Sequence, residues 1–267
     1  LVSMKEDEMT LPLKTGVLYG PVNSRRYGRS LGINLSPCGY KECSFNCVYC
    51  HYGQTERLRL QTDENANGYP VYENIVAELE EALESPLDID IITFSGNGEP
   101  TMHPRFPELV EAVIDLRDRW RPGVRTALLS NSTGLYREDV RQAASELDLA
   151  VFKLDAGTER AFMNINRPAK GVKFNEIVEY LAGIDGIYLQ TVFIEGAQSN
   201  TGPDEMIAYL ERIVTIQPRG VHLYSTDRPV PSALVSRVDP EWLEDIASQI
   251  SGETGVPAAA YYNGKKT

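Results

Sequence analysis

The chain has 267 residues, 42% of them hydrophobic and 24% charged, with a formal net charge of −12. That length suits one large α/β domain, and the apolar share suffices for a packed core. No apolar run approaches the roughly 20 residues that cross a bilayer, and so acidic a surface opposes unspecific binding to nucleic acid or anionic lipid.

Residues 1–18 are expected to form a leading segment. Its first residues are acidic and lack the apolar core of a signal peptide. With four cysteines, three of them in one loop, the chain has the composition of a reduced, cytoplasmic protein. From residue 19 to 230, short apolar β-rich segments alternate with amphipathic ones. Ser30–Leu35 predicts the first strand, and the polar stretch Leu58–Gly68 a loop. Tyr72–Leu83 predicts a helix, Ile89–Ser95 a strand, Arg105–Arg119 a helix and Arg125–Ser130 a strand. Arg137–Leu147 then predicts a helix, Leu149–Asp155 a strand, Phe174–Ile184 a helix and Tyr188–Ile194 a strand. Pro203–Ile216 predicts a helix whose first turn carries Asp204 and Glu205, as a helix start favours. Gly220–Tyr224 predicts the sixth strand. Residues 231–267 are expected to hold one more helix, near Asp239–Ser251, opening on an Asp N-cap followed by Pro. Gly255–Thr267 has no periodicity and is expected to be a mobile tail. Strand–helix repetition predicts an α/β fold with parallel strands and outer helices. Six units predict a partial (β/α)6, TIM-like barrel with its chemistry at the C-terminal strand ends.

The loop after the first strand carries Cys43-x3-Cys47-x2-Cys50. Three thiolates in one short loop can hold three irons of a [4Fe–4S] cube. No later cysteine exists, so the fourth iron would stay open to a small molecule. Zinc is the alternative, with His51 or Cys38 as a fourth ligand, although structural zinc sites usually draw on two separated pairs. Unrelated thiols are a third possibility. A disulfide within the triplet is disfavoured by parity and spacing. Cys38 reads as a small buried residue near the end of the first strand, with a hydrogen-atom donor or substrate-linking role as the sharper alternative. His103 and His222 read as structural.

Further blocks follow in order: Gly20-Pro21-Val22-Asn23-Ser24-Arg25-Arg26, Gly96-Asn97-Gly98-Glu99-Pro100, Ser130-Asn131-Ser132, Lys153-Leu154-Asp155 and Ile165-Asn166-Arg167-Pro168. With the cysteines, they resemble the radical S-adenosylmethionine (radical SAM) superfamily, in the subgroup described as wyosine-synthase-like iron–sulfur oxidoreductases. The resemblance covers roughly residues 19–230 and implies the same partial barrel. It implies a [4Fe–4S] cluster on Cys43, Cys47 and Cys50, and S-adenosyl-L-methionine as the second cofactor. It also implies an electron donor such as flavodoxin or ferredoxin. Tyr49 would contact the cofactor's adenine. Gly96, Gly98 and Glu99 would meet its methionine end, and Ser130, Asn131 and Ser132 its ribose or carboxylate. Phe45 and Val48 would shield the cluster. Lys153 and Asp155, charges ending an apolar strand, are expected to face the cavity as catalytic candidates, with a structural ion pair among strand ends as the alternative. Arg167 is expected to meet the cofactor carboxylate or a substrate anion, and Glu195 and Arg228 to line the same space.

The reaction so implied is reductive cleavage of S-adenosylmethionine to methionine and a 5′-deoxyadenosyl radical, which takes a hydrogen atom from the substrate. The acidity and the lack of a basic extension favour a small polar or peptide substrate. A tRNA guanosine is the alternative; the two basic patches that could serve it are Arg25, Arg26 and Arg29, and Arg117, Arg119, Arg121 and Arg125. A zinc-stabilised interaction domain is the non-enzyme alternative.

Overall fold

The computed structural model describes residues 10–61, 68–227, 230 and 234–263. Arg228 and most of the acidic N-terminus lie outside these. The chain opens with β1 (Leu18–Ser24) and β2 (Gly28–Ile33), then two short strands, β3 (Glu42–Cys43) and β4 (Arg57–Leu58). Next come α1 (Tyr72–Glu84), β5 (Ile91–Phe94), α2 (Phe106–Trp120), β6 (Arg125–Ser130), α3 (Glu138–Ser145) and β7 (Leu149–Lys153). The second half holds α4 (Glu159–Ile165), α5 (Phe174–Ala182), β8 (Tyr188–Val192), β9 (Ile194–Gly196), α6 (Pro203–Ile216) and β10 (Gly220–Tyr224). It closes with β11 (Val235–Arg237), α7 (Pro240–Thr254) and β12 (Ala258–Ala260).

The main sheet has the order β1-β2-β5-β6-β7-β8-β10-β12. The six expected strands are the parallel run β2 to β10, the predicted partial barrel. Two edge strands were not expected. β1 pairs with β2 in an antiparallel hairpin, and β12 pairs parallel to β10, Val221 opposite Ala258. Thus part of the tail expected to be mobile is a strand. Its run Ala258-Ala259-Ala260 lacks the β-branched and aromatic residues that mark strands, and β10 supplies its order. The short helix α4 also escaped notice. Thr158 caps it by accepting from Ala161 N, and it buries Ala161, Phe162 and Ile165.

The strands alternate between two buried faces. Ile92, Phe94, Leu128, Phe152, Leu189, Val221 and Leu223 pack outward under the helices. From α1 come Ile75, Leu79 and Leu83, spaced by four on one face, each burial contributing about 1.5–3 kcal/mol. The opposite parity points into the barrel, where Tyr27, Ile91, Ala127 and Val151 close an inner apolar layer. The turn between β1 and β2 reaches the far edge of the sheet. Arg25 ion-pairs with Asp227, after β10, and Arg26 bonds Gln190 on β8 and His222 on β10. The sheet is therefore curled until its first hairpin meets its last strands. Among the described residues no helix is long and apolar enough to cross a membrane.

Candidate active site

A cavity of about 530 Å³ opens at the C-terminal strand ends, within the size range of small-ligand sites. Cys43, Cys47 and Cys50 line one side of it, with Gly96, Asn97, Gly98, Glu99, Ser130 and Asn131 beside them. Inward-facing strand residues continue the wall: Ser30, Thr93, Leu129, Lys153, Gln190 and Tyr224.

The cysteine loop is held from two directions. On one side the Ile165–Pro168 block clamps it through the backbone: Asn46 N donates to Asn166 O (2.9 Å) and Val48 N to Ile165 O (2.9 Å). Ala169 N donates back to Ser44 O (2.8 Å), and Phe45 packs edge-on against Phe162. On the other side lies the glycine loop. A Cβ on Gly98 would stand 1.8 Å from Glu42 O, so only glycine permits the two loops to touch. A Cβ on Gly96, at φ +152°, would stand 2.2 Å from Asn34 Oδ1. Asn97, fully buried, ties the glycine loop to Lys14 and Pro37, with its Nδ2 donating to both carbonyls.

Glu99 gathers the next loop. Its Oε1 accepts from Thr101 Oγ1 (2.6 Å), Thr101 N (3.2 Å) and Ser130 Oγ (2.7 Å). Among the described residues its Oε2 accepts from Asn131 N alone (2.6 Å) and keeps an acceptor position. Burial holds the Glu99 carboxyl above its ordinary range despite these donors. Asn131 turns its amide onto the cysteine loop, donating to Ser44 Oγ (2.8 Å) and Cys43 Sγ (3.5 Å). Ser132, at φ +77°, donates through Oγ to Lys153 O (2.8 Å) and does not line the cavity.

Asp155 departs from expectation. Its side chain is wholly buried and lies beneath Tyr49, not in the cavity. Oδ2 accepts from Tyr49 OH and from Asn166 Nδ2 (2.6 Å), and Oδ1 from Val192 N (2.9 Å). Asn166 also reaches Cys47 Sγ (3.4 Å). Lys153, two residues earlier, does line the cavity, and its Nζ donates to Tyr49 OH (3.0 Å). Arg167 and Glu195 are both exposed and outside the cavity lining, Arg167 because its left-handed backbone (φ +45°) belongs to the clamp. The useful residue of that block is Asn166, whose neutral amide gave no sequence signal beside an arginine. Cys38 also stays out of the cavity and is half-buried, not buried as expected, its Sγ near Asn34 Nδ2 (3.7 Å).

The chain belongs to the radical SAM superfamily, whose family model matches residues 39–196. Its relatives include the UPF0026 protein of Helicobacter pylori strain J99, 33% identical over 80% of this chain and 67% of that one. The UPF0026 protein of Synechocystis is 33% identical over 90% of this chain and 94% of its own length. The fold is shared with the structure of TYW1 with a lysine–pyruvate adduct bound, at 16% identity and TM-score 0.58 over 85% of this chain and 74% of that one. It is shared too with Streptococcus suis SuiB bound to S-adenosylmethionine, at 14% identity and TM-score 0.61 over 86% and 50%. The chain is accordingly a radical SAM enzyme, and the superfamily's cofactors are a [4Fe–4S] cluster and S-adenosylmethionine.

The residues present fit these cofactors. The three thiols of one loop line the same side of the cavity, and each iron of a cube takes its own thiolate. Burial pushes the Cys43 thiol up to about 12 and the Cys47 thiol up to about 11. Positive charge that favours their ionisation stands close by: Lys41 near Cys43 and Lys153 near Cys47. Lys41 is itself buried, its Nζ donating to Gly53 O (2.5 Å). A buried cation so placed would be matched by thiolates holding a cluster.

Proposed function

We propose that the enzyme generates its radical at Cys43, Cys47 and Cys50 and uses it on a small polar or peptide substrate held in the barrel. The observation that carries this reading is one continuous cavity, joining the three thiols, the glycine loop and the polar inner strand positions. Cys43, Cys47 and Cys50 would hold the cluster, which, once reduced by a flavodoxin- or ferredoxin-type donor, would supply the electron for reductive cleavage of S-adenosylmethionine and so the radical chemistry that removes a hydrogen atom from the substrate.

The chain's own part is placement and exclusion of water. Gly96 and Gly98 let backbone approach the methionine end of the cofactor, and Glu99 Oε2 offers its remaining acceptor position to the ammonium. Tyr49, its hydroxyl fixed by Asp155 and Lys153, presents a ring of set orientation toward the adenine. Asp155 is thus a positioning residue in place of a catalytic one. Phe45 and Val48, both buried, keep water from the thiols. Ser130 and Asn131 line the cavity where ribose and carboxylate would lie.

The test is anaerobic reconstitution followed by dithionite and S-adenosylmethionine. Methionine and 5′-deoxyadenosine should appear slowly without added substrate. Absence of both from a brown, cluster-loaded protein would overturn the reading.

A further inference from the structure

Three arginines stand close together around the β1–β2 turn. Arg25 pairs with Asp227, and Arg29 with Asp88 and Asp90. Arg26, half-buried and lining the cavity, is different. Its guanidinium donates to His222 Nδ1 (2.9 Å) and Gln190 Oε1 (2.8 Å) and rests over the rings of Tyr27 (4.6 Å) and Tyr224 (4.8 Å). All four partners are neutral. An arginine can only donate, so His222 Nδ1 must be an unprotonated acceptor. Burial, and next the Arg26 charge, push His222 down to about 3, which keeps the ring neutral. Among the described residues no carboxylate pairs with Arg26.

The guanidinium is therefore fixed in place with its charge unmatched. Among the described residues two of its five N–H donors are used, leaving three. The other charges lining the cavity do not match it. Lys41, Lys153 and Arg25 are cations, and the carboxylate of Glu99 is held by Thr101, Ser130 and Asn131. A partly desolvated cation held in this way is costly until an anion meets it, and a guanidinium fork matches planar or tetrahedral oxyanions.

We propose that Arg26, steadied by Gln190, His222, Tyr27 and Tyr224, is the receptor for an oxyanion of the substrate, a carboxylate or a phosphate. Calling that ligand the substrate rests on the radical SAM reading above; the anion site itself does not. Within a chain of net charge −12, the site selects small anions that enter the cavity over polyanions that need a broad basic surface.

Cluster-loaded protein is titrated calorimetrically with inorganic phosphate, pyrophosphate and succinate, with chloride holding the ionic strength constant. At least one of the three should bind saturably by millimolar concentration, and which of them binds separates phosphate from carboxylate recognition. Arg26→Gln should weaken that binding by about tenfold or more. A second measurement needs no variant: the bound anion should slow phenylglyoxal modification of Arg26 several-fold, read by peptide mass spectrometry. No saturable binding by the wild type, equal affinity in Arg26→Gln, or unprotected Arg26 would each overturn the inference. None of these measurements uses S-adenosylmethionine. Failure to release 5′-deoxyadenosine would sink the reaction and leave the anion site standing, and the reverse holds equally.

Discussion

Four thiols of similar exposure differ in what surrounds them. Cys43 and Cys47 each receive a side-chain amide, from Asn131 and Asn166, and with Cys50 they line the cavity. Cys38 sits apart. Replacing any of the three by Ala should abolish the brown colour after anaerobic reconstitution, while Cys38→Ala should keep about four irons per chain; iron analysis decides. At Glu99, substitution by Gln turns one amide N–H₂ toward a donor whichever way it is flipped. Glu99→Gln should lose about 1–3 kcal/mol of stability, besides weakening binding of S-adenosylmethionine; denaturant titration and equilibrium dialysis read the two effects. His222 sets a pH dependence. Its folded value, about 3, lies below the ordinary 6.5, so between these the unfolded chain binds a proton that the folded chain refuses. Stability from this group is complete above the ordinary value and falls as pH drops through it. From pH 7 to pH 5 the loss is about 2 kcal/mol. His222→Gln should flatten that part of the stability profile, measured by urea unfolding at both pH values.

At the scale of elements, the site is an apposition of loops that sit on neighbouring strands. The cysteine loop after β2 touches the glycine loop after β5 at Gly98, and the loop after β6 is drawn in by Glu99. Gly98→Ala puts a methyl into the Glu42 carbonyl, so the loops must part. The helices and strands of the barrel do not depend on that contact. The variant should keep its helical circular dichroism yet lose iron content and affinity for S-adenosylmethionine together. Normal iron content would show that the contact yields without consequence. At the far edge, β12 is held by pairing and by Tyr261. Tyr261 N donates to Leu223 O (2.9 Å), and its ring stacks on Tyr224 (5.4 Å) and meets His222 edge-on (5.5 Å). Tyr261→Ala should cost about 2 kcal/mol, less than a fully buried ring, because Tyr261 is only half-buried. Since Tyr224 also underlies Arg26, the same variant should weaken the oxyanion site.

Over the whole molecule, positive charge is mostly engaged by the protein's own groups. Arg117 pairs with Asp118 and Asp148, Arg119 with Glu80, and Arg121 donates to the carbonyls of Leu83 and Ser85. Arg25 and Arg29 are paired as well. Arg25, Arg29, Arg117 and Arg119 of the two stretches that a tRNA could have used are therefore paired with carboxylates, and Arg26 is turned into the cavity. Binding of total tRNA at physiological salt should be no tighter than about 10 μM, near the middle of the non-specific range. An anisotropy titration at two salt concentrations measures it. Tight, steeply salt-dependent binding would restore the tRNA guanosine alternative.

Local patterns determined the parallel strands, the outer helices and the cysteine triplet, because periodicity and spacing are properties of neighbouring residues. The order of the motifs along the strand ends was equally legible. Which side of each strand faces the lumen was not. Parallel strands are buried on both faces, so their apolar runs carry no parity. Lys153 and Asp155, two residues apart, would share a face of a continuing strand, but β7 ends at Lys153, so one lines the cavity and the other, beyond the strand, lies sealed under Tyr49. The strand β12 was invisible because its order comes from β10 and not from its alanines. Arg26 looked like Arg25 and Arg29, and only closure of the sheet separates them. Its partner His222 lies 196 residues away, and the Asp227 that neutralises Arg25 lies 202 away. A charge left unmatched is a property of everything that surrounds it, and that is decided only when the chain has folded.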